Sequence, residues 1–296
     1  MSKILIHTPL NIRKNLIDGL KGFLKDFNRN NGTKISAEPV DHSVQGSWLA
    51  DRVAQDDIPE MILAHATDYA TVNRGELSKV FASFPNRFPL RPELQPYGDD
   101  AGILHPVFGV PFVIICNTRL ISPEDRPSSW EELMASRWHG QLAFPDPTTP
   151  IARGVASYIN SSYPGLFKEF LPHLRFIKSV PELNQAVVDG VYPLGIANIA
   201  FAKMLHQKHV VPIWPKEGAV LIPQFMVWSN RADKRLLEIG DFMLSKPVQA
   251  ILANQGFVPA NPELPLSNVL AENCGFVRWE EWDRYSENVR KVCELL

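Results

Sequence analysis

At 296 residues the chain exceeds the size at which one hydrophobic core keeps growing, so two lobes are expected. Its 30 basic and 32 acidic residues leave a net charge of −2, which points away from nucleic acid or an anionic membrane surface as the main partner. Apolar residues make up 45% of the chain, which excludes a disordered protein, and the longest apolar runs are strand-sized rather than membrane-spanning.

Met1-Ser2-Lys3 passes directly into ILIH, with neither a long apolar segment nor a small-residue cleavage site. Two expectations follow, a mature chain given a new Met or a protein that stays in the cytoplasm. ILIHT reads as a first strand. Asn11 then caps a helix whose apolar residues Ile12, Leu16, Leu20, Phe23 and Phe27 recur at helical spacing, and Asn31-Gly32 ends it. A second strand covers about Lys34 to Val40, a helix runs near Trp48 to Ala54, and PEMILA is a third strand. This βαβαβ order predicts a parallel sheet with right-handed crossovers. The proline-rich, polar stretch from Asn86 to Pro106 reads as a long surface loop.

The apolar run VPFVIIC ends in Asn117 and is followed by a short helix, SSWEELM, in which Ser128 and Glu131 stand at capping-box spacing. GQLAF is the next strand and closes with Asp146-Pro147. Thr149-Pro150 starts a helix with Pro at its first position, and Ser179 with Glu182 forms a second capping box before LNQAVVDG. YPLGIAN is strand-like, a helix passes through Phe201 to Leu205, and VVPIW leads to Glu217-Gly218 and the apolar run AVLIPQFMVW. Leu236, Leu237, Met243 and Leu244 share a helix; Ser245-Lys246-Pro247 begins the next, which stops at Gly256 with Pro259 beyond. A last helix from about Trp279 carries Trp282, Val289, Val292 and Leu296, a stripe that reads as core contact onto the first lobe. Cys116 is expected to be a buried thiol, while Cys274 and Cys293 are left either paired or unpaired by their spacing.

The order of parts from Val110 to Pro147 resembles the crossing into the second lobe of the type II periplasmic binding-protein fold. The residues that carry the resemblance are Val110-Pro111, Asn117, Pro127 with Trp130 and Leu133, Trp138 with Gly140, and Asp146-Pro147. Val188-Asp189-Gly190 before YPLGIAN, then Pro215, Glu217 and Gly218, then Ser245, Gln249, Gly256 and Pro259, extend it over most of the chain. The branch it looks like is the family 1 extracellular solute-binding proteins that include the ferric-ion binders. The resemblance implies an α/β protein of two lobes, each a mixed, mostly parallel sheet flanked by helices, with a ligand cleft between them. Residues 1–112 and 222–296 would form lobe 1 and residues 113–221 lobe 2. Ferric binders of this kind use a His after the first strand, a Glu after the third and a Tyr-Tyr pair after the inward strand of lobe 2, because hard Fe(III) needs anionic oxygen donors. The corresponding positions here fall near Pro9-Leu10, His65-Ala66 and Ile199-Ala200, none of them a tyrosine or carboxylate.

In open α/β sheets ligands gather at the carboxyl ends of strands. That rule nominates Thr8 and Pro9 after strand one, His42 and Ser43 after strand two, and His65 with Thr67 after strand three. It adds Thr148, Thr149 and Asn198 from the second lobe and Gln224 on the return crossing, so the nominated groups are mostly neutral hydrogen bonders. The helix start at Thr149 offers amides for an oxyanion, with Arg153 in its first turn; the plainer alternatives are a simple cap and a solvated arginine. His42, His65 and His105 are candidates for a transition-metal site but lack any local ligand spacing, and Trp48, Trp130 and Trp138 read as core rather than sugar platforms.

No phosphate-binding loop, dinucleotide fingerprint, nucleophile elbow or zinc-protease motif is present, so no catalytic residue, metal or cofactor is expected. The implied function is the solute-binding component of an ABC-type importer, trapping a small polar or anionic solute by hinge closure. Its implied partners are that small-molecule or oxyanion ligand and a membrane permease, with no nucleic acid, and the protein itself is expected to be a monomer. By resemblance it is periplasmic or extracytoplasmic, and cytoplasmic if Met1 is the true start. A cytoplasmic ligand sensor or a biosynthetic enzyme on the same fold is the alternative.

Overall fold

The computed structural model describes residues 2–40, 47–205, 209–273 and 275–296. Internal contacts divide the chain into two units. Unit 1 comprises Met1–Gly109, Pro223–Ser267 and Glu281–Ser286, and unit 2 comprises Val110–Ile222, Asn268–Glu280 and Glu287–Leu296. The sequence reading gives everything after residue 222 to lobe 1, whereas two stretches of the C-terminal tail group with unit 2.

The first elements are β1 (Ser2–Ile6), α1 (Leu10–Asn31), β2 (Ile35–Pro39), α2 (Trp48–Ala54), β3 (Met61–His65), α3 (Ala66–Ala70) and α4 (Arg74–Val80). Helix α1 buries Ile12, Leu16, Leu20 and Phe27 of the stripe that its spacing predicts, while Leu24 is buried where Phe23 is expected and Phe23 is half-buried. It starts one residue before Asn11, with Pro9 at the N-cap position and the Pro9 carbonyl accepting from Ile12 and Arg13; the Asn11 amide donates instead to Gln255. Gly32 ends it in the left-handed region at φ +64°, where a side chain would be strained.

Residues 86–106 are not a surface loop. Leu94, Tyr97, Ile103 and Leu104 are buried, and the Arg91 guanidinium donates to the Pro259 carbonyl. Apolar anchors thus recur between the prolines and pull this stretch onto the core. Gly102 makes the close approach, since a Cβ there would lie 2.4 Å from the Pro85 nitrogen.

Next come β4 (His105–Asn117), α5 (Trp130–Leu133), β5 (Leu142–Pro145), α6 (Pro150–Ser162), α7 (Pro164–Phe170), β6 (Arg175–Ile177), α8 (Val180–Val188), β7 (Leu194–Asn198), α9 (Ile199–Leu205), β8 (Val210–Ile213) and β9 (Val220–Trp228). The chain ends with α10 (Leu237–Met243), α11 (Lys246–Asn254), β10 (Val258–Pro259), α12 (Asn268–Glu272) and α13 (Trp282–Leu295). All thirteen residues of β4 are buried, as expected of an apolar run with no polar alternation. Within it, burial pushes the Cys116 thiol up to about 11. The pairing of Cys274 lies outside the described residues.

In unit 1, β1 pairs in parallel with β2 and β3, and β3 pairs antiparallel with β9 in a register that sets His65 opposite Gln224. Strand β10 lies antiparallel to the first part of β4. In unit 2, β7 and β8 run antiparallel to β4, while β5 runs parallel to β7 and to β6.

The cap of α5 differs from expectation by one residue. Ser129, not Ser128, accepts from the Glu132 amide at 3.0 Å, and the Glu132 carboxylate turns back onto the Ser128 amide at 2.8 Å. That amide and Lys216 hold the Glu132 carboxyl down at about 2. Thr149 caps α6 as expected, and Ser179 caps α8 by accepting from the Glu182 amide, the serine half of the expected capping box. Helix α13 begins at Trp282 rather than Trp279 and buries Trp282, Tyr285, Val289 and Val292, with Leu296 half-buried.

Candidate functional site

At the carboxyl ends of β1 and β3, unit 1 assembles a buried polar cluster. His7 directly follows β1 and its amide bonds the Leu63 carbonyl at 2.8 Å, which carries the β1–β3 ladder one step further. His65 closes β3, and the rings of His7 and His65 meet edge-on with centroids 5.0 Å apart. The His7 Nδ1 lies 2.8 Å from the Asp68 carboxylate, which also accepts from the Trp48 indole at 3.0 Å and the His65 amide at 3.0 Å. Burial pushes the Asp68 carboxyl up, but His7, His65 and Trp48 outweigh it and hold the group below its ordinary value. Gln224 reaches across from β9, its Nε2 donating to His65 Nδ1 at 2.7 Å. His65 therefore carries its proton on Nε2 in the neutral form.

Around this framework three polar atoms are buried with no hydrogen-bond partner among the described residues: Thr8 Oγ1, Thr67 Oγ1 and Gln224 Oε1. Thr8, Thr67 and Gln224 are each 0% exposed. A buried unsatisfied polar group costs about 1–3 kcal/mol, and interiors satisfy almost all of theirs. Three such groups at or just past the ends of neighbouring strands mark a place where hydrogen-bonding capacity is held in reserve.

The nominated residues thus fall into three sets. Thr8, His65, Thr67 and Gln224 meet in this cluster, and Pro9 borders it, half-exposed, with its carbonyl committed to α1. His42 and Ser43 lie outside the described residues. Thr148, Thr149 and Asn198 belong to unit 2, where the turn before α6 uses the two threonines locally and the start of α9 uses the asparagine. Thr148 Oγ1 and its amide bond Asp146, Thr149 Oγ1 donates to the Asp146 carbonyl and caps Ala152, and Asn198 Oδ1 accepts from the Phe201 amide. Arg153 is 6% exposed, with its Nε on the Pro147 carbonyl at 3.3 Å, so it is not a solvated surface residue.

The sequence reading did not nominate His7 or Asp68. Asp68 stands three residues after His65, a spacing that lets a carboxylate reach back to an N-cap amide, and that was the one available signal. Of the tryptophans, Trp48 is core and also a donor to Asp68, Trp130 is buried with its indole on the Gly218 carbonyl, and Trp138 is buried. His105 sits among Phe84, Phe88 and Trp228, where burial pushes it down to about 4. Among the described residues no group of three or more His, Cys, Asp or Glu side chains is arranged to hold a metal ion.

Two α/β units built on discontinuous segments, with β4 and β9 shared between them, define the periplasmic binding-protein class of fold. The chain belongs to the bacterial extracellular solute-binding protein family, whose profile matches residues 56–288. No curated protein sequence matches it. Among solved structures it is similar to a ferric binding protein from Campylobacter jejuni, with a TM-score of 0.78 at 13% identity over 100% of this chain and 98% of that one. Iron-bound HitA from Pseudomonas aeruginosa gives 0.76 at 13% identity over 99% and 98% of the two chains. An ABC transporter protein from Clostridium perfringens gives 0.69 at 16% identity over 100% and 97%. Among the described residues no helix is long and apolar enough to cross a membrane.

Proposed function

We propose that this protein is the solute-binding component of an ABC-type importer, acting outside the cytoplasm as a monomer, and that it traps a small polar or anionic solute. The reading rests above all on the three buried, unpartnered oxygens of Thr8, Thr67 and Gln224 at the ends of neighbouring strands. The family supports a binding role, and the fold supports a hinge mechanism in which solute held by unit 1 recruits contacts from unit 2. Closure is then favoured only by the free energy that those added contacts supply, and the closed state is what a membrane permease would recognise.

Ferric ion is not the proposed solute, although structural neighbours are named for it. Fe(III) selects anionic oxygen donors. The carboxylate present, Asp68, is already engaged by His7, Trp48 and the His65 amide.

Mass spectrometry of the protein under native conditions tests the binding role. A small polar solute is expected to co-purify at one per chain and to dissociate more readily from Thr8→Val and Thr67→Val. Small-angle scattering tests closure, since the radius of gyration should fall at saturation. A radius that stays constant would remove the hinge step.

A further inference from the structure

Resting on that reading, the structure also constrains the chemical class of the solute. Gln224 Nε2 lies 2.7 Å from His65 Nδ1 and 3.3 Å from the Pro223 carbonyl. Exchanging nitrogen and oxygen would place Oε1 against the Pro223 carbonyl, two acceptors face to face, so the orientation of the amide is set by its neighbours. Oε1 is therefore the group left over, and an amide oxygen only accepts. The Thr8 and Thr67 hydroxyls are unpartnered too, but a hydroxyl turns to give or to take, so neither restricts the guest.

We infer that the solute carries at least one N–H or O–H group, presented to Gln224 Oε1. A primary amine, an ammonium compound, a hydroxy acid or a polyol meets this demand. A donor-free oxyanion such as sulfate, a tetraalkylammonium ion without a hydroxyl or a bare metal ion does not. The discrimination is expected to be steep, because a buried acceptor that loses its donor stays unpaired in the complex as well.

Titration calorimetry on the full chain tests this with matched probes: methylammonium against tetramethylammonium, glycine against glycine betaine, glycolate against methoxyacetate, with sulfate and Fe(III) nitrilotriacetate beside them. A donor-bearing member is expected to bind at least tenfold more tightly than its methylated partner. Gln224→Leu should shrink that ratio below threefold, and Gln224→Met, which also removes the acceptor in a side chain of similar length and guards against a leucine variant that fails to fold, should do the same. Tighter binding of sulfate, Fe(III) or a methylated member, or a ratio equal in wild type and Gln224→Leu, overturns the donor rule while leaving solute binding intact. A probe whose affinity is unchanged in Thr8→Val, Thr67→Val and Gln224→Leu alike binds elsewhere, and that result overturns the assignment of the site itself.

Discussion

Replacing Thr67 by Val should make the solute-free protein more stable while making it a poorer binder. Thr67 is 0% exposed and its Oγ1 has no partner among the described residues. Valine has nearly the same shape, so the exchange removes an unsatisfied hydroxyl worth about 1–3 kcal/mol of penalty. Most buried substitutions move the other way, by about 1 kcal/mol, so the sign alone is diagnostic. For a chain of this size each kcal/mol shifts the melting temperature by about 2 °C, which gives an expected rise of roughly 2–6 °C. Thr8→Val should behave alike, since Thr8 is 0% exposed with the same unpartnered oxygen. Differential scanning calorimetry on protein stripped of solute reads the shift directly. If both variants melt below the parent, the hydroxyls are satisfied without solute and the reasoning is refuted.

Three further outcomes follow from particular contacts. Asp68→Asn removes the charge that meets His7 and turns one acceptor into a donor facing N–H groups, so stability should fall by about 3 kcal/mol or more, read as a lower urea midpoint; an unchanged midpoint would show the cluster to be open to water. His105 is pushed down to about 4 by burial, so between that value and its ordinary 6.5 the unfolded chain binds a proton that the folded one refuses. Stability is complete above pH 6.5 and falls by about 1.4 kcal/mol per unit towards pH 4, and His105→Phe should flatten that slope in pH-dependent denaturation. Gly102→Ala forces a Cβ to within 2.4 Å of the Pro85 nitrogen at a φ of +65°, and should cost about 2–4 kcal/mol in chemical denaturation.

Elements were legible wherever the signal was local. The stripe of α1 apart from Phe23, the left-handed stop at Gly32 and the Thr149-Pro150 start each depend on residues within one or two turns, and each forms as read. The slip at α5 shows the limit. Two serines face two glutamates at identical spacing, Ser128 with Glu131 and Ser129 with Glu132, and the choice between them is made from outside the helix. Lys216 pairs with Glu132 and Glu217 accepts from the Trp130 amide, both from more than eighty residues away in sequence. The polar cluster divides in the same way. The strand-end rule pointed to Thr8, His65, Thr67 and Gln224 because strand ends are visible in the pattern. His7 falls at the tail of an apolar strand and Asp68 carries no assignment, because their pairing spans 61 positions and no local pattern reports it.

The division of labour inside the cluster bears on how tightly one unit can hold a guest. Asp68, the charged oxygen group among His7, Trp48 and His65, is turned inward and fixes one imidazole, one indole and the His65 backbone amide rather than facing a ligand. What remains in reserve is neutral: two hydroxyls and an amide oxygen. A neutral hydrogen bond contributes about 0.5–1.5 kcal/mol net, so three of them give roughly 2–4 kcal/mol, which corresponds to about millimolar affinity or weaker. Under the proposed function, anything tighter must come from groups that unit 2 adds. A solute able to satisfy unit 1 but unable to engage unit 2 would then bind weakly and leave the radius of gyration where it was, which ties affinity and closure to the same set of contacts.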